Sequence, residues 1–299
     1  MTLALRPTPR HIEGVRVCYV DSTAASDFAT GRARSTITVD TPHFRAFRAD
    51  GTITFLHRFD ATSVSDELAD LLAEELDNAG ILNGPGEFEA TLSGIVHSAP
   101  GKSDSGTGGS PWLPFYRNSI ATLEGGSAAF SPVHSRGAEL ISGSEVLDLG
   151  SCFGFFPLRL AGRGTMQGGA RNPLSITATD ISAGTMHLLG SIAADLGRPL
   201  RTIHCDAAHV PLPECSVDTV TALHLLEHLT PEKAFAVARE AVRLARRRVI
   251  MAVPFESRPR TCFGHVQTFD LRALHELGTR LGMDYTASEY HGGWLVLDR

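Results

Sequence analysis

The stretch Glu145–Ala161, EVLDLGSCFGFFPLRLA, runs from an apolar strand through an acid, Asp148, into a tight loop bounded by Gly150 and Gly154, and then into a helix near Pro157. Glycine lets a backbone turn sharply and approach a ligand closely, and a helix N-terminus offers unbonded N–H groups to a carboxylate or phosphate. Two further carboxylates follow, Asp180 in ATDIS and Asp206 in HCDAA. A single Asp of this kind reads as a helix cap or a solvated loop residue. Three in order, at the carboxyl ends of successive strands, read as a ligand site. Downstream, SVDTVTALHLLEHL supplies His224, Glu227 and His228, and GHVQTFD supplies His265. A histidine titrating near neutrality can take the proton from an attacking hydroxyl. His224 and His228 are spaced to share a helical face, as in a metal site. No third ligand stands beside them in the sequence, so no metal is expected.

The elements that must position these residues are legible from periodicity. Short apolar runs alternate with helical patterns, which predicts a parallel sheet covered on both faces by helices. The expected strands are 145–149, 175–179, 200–204, 217–223 and 248–253. Thr230 should cap a helix that opens on Pro231, Asp270 should cap another, and Tyr285–Tyr290 with Trp294–Leu297 should form a terminal antiparallel hairpin around Gly292 and Gly293. Arg246, Arg247 and Arg248 are expected at the end of a helix, complementing its dipole. The N-terminal third is extended in character: 15–20, 35–39 and a hairpin of 43–49 with 52–59 about Asp50-Gly51. A helix follows, with Ser63 or Ser65 as its cap and Leu68, Leu71, Leu72 and Leu76 on one face. The tract 98–111 is rich in Gly and Ser and is expected to be a linker. The division is then a small α+β domain over 1–97, the linker over 98–111 and an α/β domain over 112–299.

The spacing after Asp148 departs from the dinucleotide fingerprint GxGxxG, because Cys152 stands at the second glycine position. It resembles instead the first motif of class I S-adenosylmethionine-dependent methyltransferases, over roughly 132–299. That resemblance implies a doubly wound, mostly parallel seven-stranded Rossmann-like methyltransferase sheet with S-adenosyl-L-methionine as cofactor. It also implies a cofactor site of Asp148, Gly150, Cys152, Gly154, Asp180, Ile181, Asp206, Ala207 and His224. In that family Asp180 would accept the ribose hydroxyls and Asp206 the adenine amino group. Glu227 and His228 would lie beside the methyl group, with His265 facing the acceptor. LDLGSCFGFFPLRLA, VTALHLLEHL, GHVQTFD and the terminal HGGWLVLDR together are similar to the mycofactocin oligosaccharide methyltransferase family. That narrower likeness implies O-methylation of a glucose hydroxyl in a glycosylated small molecule. Methylation of another small-molecule hydroxyl, nucleotide-cofactor oxidoreduction and cofactor binding without catalysis remain open.

Composition removes other classes. The chain has 299 residues with 27 basic and 33 acidic side chains, a net charge of −6. Tracking a phosphate backbone calls for a basic excess, so nucleic acid is not an expected partner. The five cysteines are widely spaced without a CxxC, which excludes a zinc ribbon or a disulfide framework. No stretch approaches the length of a membrane span and the first residues lack a signal-peptide core, so a cytoplasmic protein is expected. At 42% hydrophobic residues the chain can bury a sizeable core.

Overall fold

The computed structural model describes residues 14–20, 36–49, 51–101, 110–163, 165–167, 170–172 and 174–299. They form two compact units, one of Leu5–Thr122 and one holding Leu123–Arg299.

In the first unit β1 (Val15–Tyr19), β2 (Thr36–Asp40), β3 (Phe44–Ala49) and β4 (Thr52–His57) make a sheet in the order β1-β4-β3-β2. The expected hairpin is present: β3 and β4 pair antiparallel, and Gly51 in the turn has a φ of 76°. Asp50 lies outside the described residues. The leucine-striped helix is α1 (Glu67–Leu72), which widens into a π-helical stretch over Ala73–Asp77 and buries Leu68, Leu72 and Leu76. Its N-cap is Asp66 rather than Ser63 or Ser65. The Asp66 amide donates to Ser119 Oγ instead, so a distant helix supplies the cap.

Helix α2 (Pro85–Ser98) follows, and then α3 (Trp112–Gly125). Of the expected linker over 98–111, residues 102–109 lie outside the described set. The unit boundary falls at Thr122 and Leu123, because most of α3 is built into the first unit. Trp112, Phe115 and Tyr116 are fully buried. Asn118 Nδ2 donates to the carbonyls of Ala61 and Val64 at 3.0 and 2.8 Å.

The second unit opens with α4 (Ser131–Leu140), β5 (Glu145–Leu149), α5 (Phe155–Arg163) and a small antiparallel ladder of β6 (Thr165–Gln167) with β7 (Ala170–Asn172). It continues with β8 (Ser175–Asp180), α6 (Ala183–Asp195), β9 (Arg201–His204), β10 (Val217–Leu223), α7 (Pro231–Leu244), β11 (Ala245–Val253) and α8 (Leu271–Leu281). The hairpin β12 (Asp284–Glu289) and β13 (Gly293–Asp298) closes the chain. The seven-stranded sheet runs β12-β13-β11-β10-β5-β8-β9. All neighbours from β9 to β11 are parallel, and β13 runs antiparallel to β11. This is a doubly wound, Rossmann-like sheet. From β5 the chain steps outward through β8 to β9, then returns to the other side of β5 with β10 and β11. The strand order therefore switches between β5 and β10, which opens a crevice at their carboxyl ends.

Local chemistry explains the elements. Thr230 Oγ1 accepts from Lys233 N, with Pro231 at the first helical position, and Asp270 Oδ1 accepts from Ala273 N at 2.7 Å, so both expected caps are present. Helix α7 buries Ala234, Val237, Ala238, Ala241 and Leu244 in the core it shares with β10 and β11. Trp294 is buried in β13 as a core residue, its Nε1 donating to the Tyr290 carbonyl at 2.8 Å.

The arginine triplet departs from expectation. Arg246, Arg247 and Arg248 lie in β11, not at a helix end. The register with β10 shifts between Val217 and Thr219, and this bulge turns Arg246 and Arg247 toward the carboxylate of Asp218 at 3.2 and 3.4 Å. Asp218 also accepts the amides of Ser144 and Glu145, and Arg248 pairs with Asp298 at 2.7 Å. The basic run pins strands together.

Candidate active site

The loop after β5 is a chain of left-handed positions: Gly150 at φ 65°, Cys152 at 50° and Gly154 at 71°. A Cβ on Gly150 would meet Leu225 Cδ1 at 2.5 Å, and one on Gly154 would meet Leu189 Cδ2 at 2.4 Å, so both positions exclude side chains sterically as well. Asp148 is buried under this loop and accepts a 2.6 Å hydrogen bond from Thr221 Oγ1. Burial pushes its carboxyl up to about 6. The Thr221 and Ser151 hydrogen bonds oppose that rise, and the neighbouring charge of Asp180 adds to it.

Asp180 ends β8 and is also buried. Its Oδ2 accepts the Cys152 amide at 3.0 Å and its Oδ1 the Ser182 amide at 2.8 Å, which fastens the glycine loop to the start of α6. Burial raises its pKa above the ordinary carboxylate value, against these backbone hydrogen bonds. Ser182, not Asp180, caps α6, accepting from Thr185 N at 3.2 Å. Each carboxylate oxygen keeps a second lone pair for a ligand hydroxyl. Next to it Ile181 is 55% exposed, an apolar side chain left open beside the loop.

Asp206 follows β9. Its Oδ1 accepts the Ala208 amide at 2.9 Å and its Oδ2 the ammonium of Lys233 from α7. Partial burial is the largest influence and raises its pKa, but the hydrogen bonds from Lys233 and the Ala208 amide and the Lys233 charge together outweigh it, and the carboxyl stays below the ordinary value. Ala207 is half-buried beside it, and Ala208 and Val210 are buried.

The residues expected to do chemistry leave β10 and β11 on the same side of the sheet. His224 has a φ of 54°, strained for a residue with a Cβ, and its amide donates to Ala252 O at 2.8 Å. Its Nδ1 lies 3.2 Å from Glu227 Oε1 and its ring stands edge-on to Phe130, with centroids 5.0 Å apart. Glu227 and His228 sit in a single 3-10 turn, Leu226–His228, so His224 and His228 do not share a helical face. Glu227 is 1% exposed, and neither carboxylate oxygen accepts a hydrogen bond.

Against this turn lies the segment after β11. The backbone carbonyl of Glu227 accepts the amides of Val266 and Gln267, and Gln267 Nε2 donates to Leu226 O and Leu229 O at 3.0 and 2.7 Å. This clamp sets the ring of His265 edge-on to His228, with centroids 4.8 Å apart. His265 is buried and its Nδ1 lies 2.8 Å from Glu256 Oε2. Burial holds His228 below the ordinary imidazole pKa; the charge of Glu227 opposes that shift and His265 adds to it.

Every strand-end carboxylate of the sequence reading thus lies at the carboxyl edge of the sheet. Glu227, His228 and His265 come together, and His224 touches this group only through Glu227, at 3.2 Å. Glu256 was missed: in the sequence it is one acid in a Pro- and Arg-rich loop, and only the fold brings it to His265. The potential metal-ligating group among the described residues is not His224 with His228 but Glu227, His228 and His265, the last arriving from the segment after another strand.

Residues 146–248 match the family model described as methyltransferase domain. The match covers about a third of the chain. S-adenosylmethionine is the cofactor such a domain takes. No curated protein matches the chain. Among solved structures, magnesium protoporphyrin IX methyltransferase from Synechocystis PCC 6803 with bound S-adenosylmethionine is similar at 18% identity, over 64% of this chain and 85% of that one, with a TM-score of 0.41. A SAM-dependent methyltransferase from Aquifex aeolicus is similar at 14% identity over 60% and 96%, with a TM-score of 0.43. PigF with S-adenosylhomocysteine is similar at 15% over 62% and 61%, with a TM-score of 0.47. No helix among the described residues is long and apolar enough to cross a membrane.

Proposed function

We propose that the methyltransferase domain makes this chain an S-adenosylmethionine-dependent O-methyltransferase. Its acceptor in this reading is a glucose hydroxyl of a glycosylated small molecule, the mycofactocin oligosaccharide by sequence likeness. The observation that carries the O-methylation reading is the edge-on pair of imidazoles, half-buried His228 and buried His265, the second backed by Glu256.

The cofactor residues fit their group. The cradle of Gly150, Cys152 and Gly154 admits close approach by a ligand, Asp180 retains lone pairs for the ribose hydroxyls, and Ile181 offers an open apolar face for the adenine. Asp206, already held by Lys233, would accept the adenine amino group with its remaining lone pair. The bound sulfonium supplies an activated methyl group. The protein's task is to hold the acceptor oxygen in line, about 3–3.5 Å from that carbon, and to take its proton.

A sugar hydroxyl is a weak nucleophile until its proton leaves. Burial keeps His228 neutral at physiological pH, so it can accept one. The Glu256 carboxylate fixes the Nδ1–H tautomer of His265, which leaves Nε2 as the accepting atom. A Glu–His arrangement of this kind also stabilises the imidazolium formed on proton transfer.

Replacing either histidine with alanine tests the reading, with methyl transfer to glucosides as the assay. Turnover should fall by about 10²–10⁴-fold while the calorimetric Kd for S-adenosylmethionine stays at the wild-type value. Undiminished turnover in both variants would show that the acceptor loses its proton by another route.

A further inference from the structure

Glu227 is buried and accepts no hydrogen bond on either oxygen; the ring nitrogen Nδ1 of His224 lies 3.2 Å from its Oε1. A buried carboxyl group without hydrogen bonds is costly, and a cation beside it would offset that cost. Its neighbours are suited to holding one. Glu227, His228 and His265 each offer a ligand atom, and the three atoms lie within 4.8 Å of one another. Among the described residues this is the one such group.

We propose that Glu227, His228 and His265 form a binding site for a divalent first-row transition cation. The donor set is two imidazoles and one carboxylate, which suits zinc, iron(II), cobalt or manganese better than calcium or magnesium. Three protein ligands leave coordination positions for water or for the vicinal hydroxyls of an acceptor.

Two features beyond the ligands support the assignment. His265 Nδ1 is bonded to Glu256, the outer carboxylate that commonly orients a metal-bound histidine and leaves its Nε2 lone pair for the ion. His228 is likewise hydrogen-bonded to the Gly264 backbone. The ligands come from two separate loops, yet the bonds from Val266, Gln267 and the Gln267 side chain lock those loops together. The ligand atoms stand somewhat farther apart than around a bound ion, where metal–ligand distances are about 2.0–2.2 Å.

The inference goes beyond the base reading of the same residues. A bound cation occupies the imidazole lone pairs, so His228 and His265 would be ligands in the metal-loaded protein and bases only in the metal-free one. Metal binding is measured apart from methyl transfer, so failure of one reading leaves the other standing.

The test is a titration of tag-free, chelator-stripped full-length protein with Co2+, followed by visible absorption. One equivalent should give saturable ligand-field bands without a thiolate charge-transfer band, and Zn2+ should displace them. Glu227→Gln and His265→Ala should weaken binding by at least about 100-fold, and Glu256→Gln by about 10–100-fold. Circular dichroism and cooperative urea unfolding of each variant verify that it is folded. Absence of saturable Co2+ binding in the wild type would overturn the proposal. So would thiolate bands, or unchanged affinity in folded Glu227→Gln and His265→Ala.

Discussion

The Asp148→Asn exchange should make the protein more stable while impairing its site. Asp148 is fully buried and its carboxyl is pushed up to about 6 from an ordinary 3.8. Below pH 3.8 the group is neutral in both folded and unfolded chains and contributes no pH dependence. Between about 4 and 6 the unfolded chain releases its proton and the folded chain keeps it. The folded state then binds more protons, so stability falls as pH rises through that window. Above 6 the full cost of holding the charge is present, about 3 kcal/mol from the two pKa values.

Asparagine keeps an oxygen to accept from Thr221 Oγ1. It also replaces the repulsion between Asp148 and Asp180 with a neutral amide. Urea unfolding of both proteins from pH 4 to 8 reads the difference. Asp148→Asn should match the wild type near pH 4 and exceed it by roughly 1–3 kcal/mol above pH 6.5, the lower end allowing for imperfect fit of the amide. Calorimetry should show weaker S-adenosylmethionine binding in the same variant. A stability difference that stays constant with pH, or a variant less stable at pH 7 than at pH 4 relative to the wild type, would refute the electrostatic reasoning.

Further outcomes follow from the same geometry. Asp180→Ala should weaken S-adenosylmethionine binding by about 1.5–3 kcal/mol, or roughly 10–200-fold in the calorimetric Kd; an unchanged Kd would remove Asp180 from the cofactor site. Gly154→Ala should destabilise by about 2–5 kcal/mol in urea unfolding, the sum of a left-handed backbone penalty and overpacking against Leu189. In the first unit, burial lowers His57 to about 4, so its contribution is complete above pH 6.5 and is lost as pH falls toward 4. His57→Gln should flatten that acid limb, seen in urea unfolding from pH 7 to 4.

The sheet was legible because parallel strands buried on both faces read as apolar runs, and because Thr230, Pro231 and Asp270 punctuate the helices. Asp148, Asp180 and Asp206 stood out for the same reason, each ending a run. What stayed hidden was long-range. Arg246–Arg248 resembled a helix end until Asp218, from the neighbouring strand, supplied their partner. The boundary near Thr122 depends on where the buried face of α3 packs, and a Gly- and Ser-rich tract says nothing of that. Glu256 and His265 meet Glu227 and His228 only through the Gln267 clamp, which joins two strand ends far apart in the chain.

The central claim is that the crevice at Asp148–Gly154 and Asp180 holds S-adenosylmethionine. Calorimetric titration of the purified protein with S-adenosylmethionine, S-adenosylhomocysteine and NADH tests it directly. Saturable one-to-one binding of both sulfur ligands with none of NADH is the predicted result. Binding of NADH alone, or of none of the three, would contradict it.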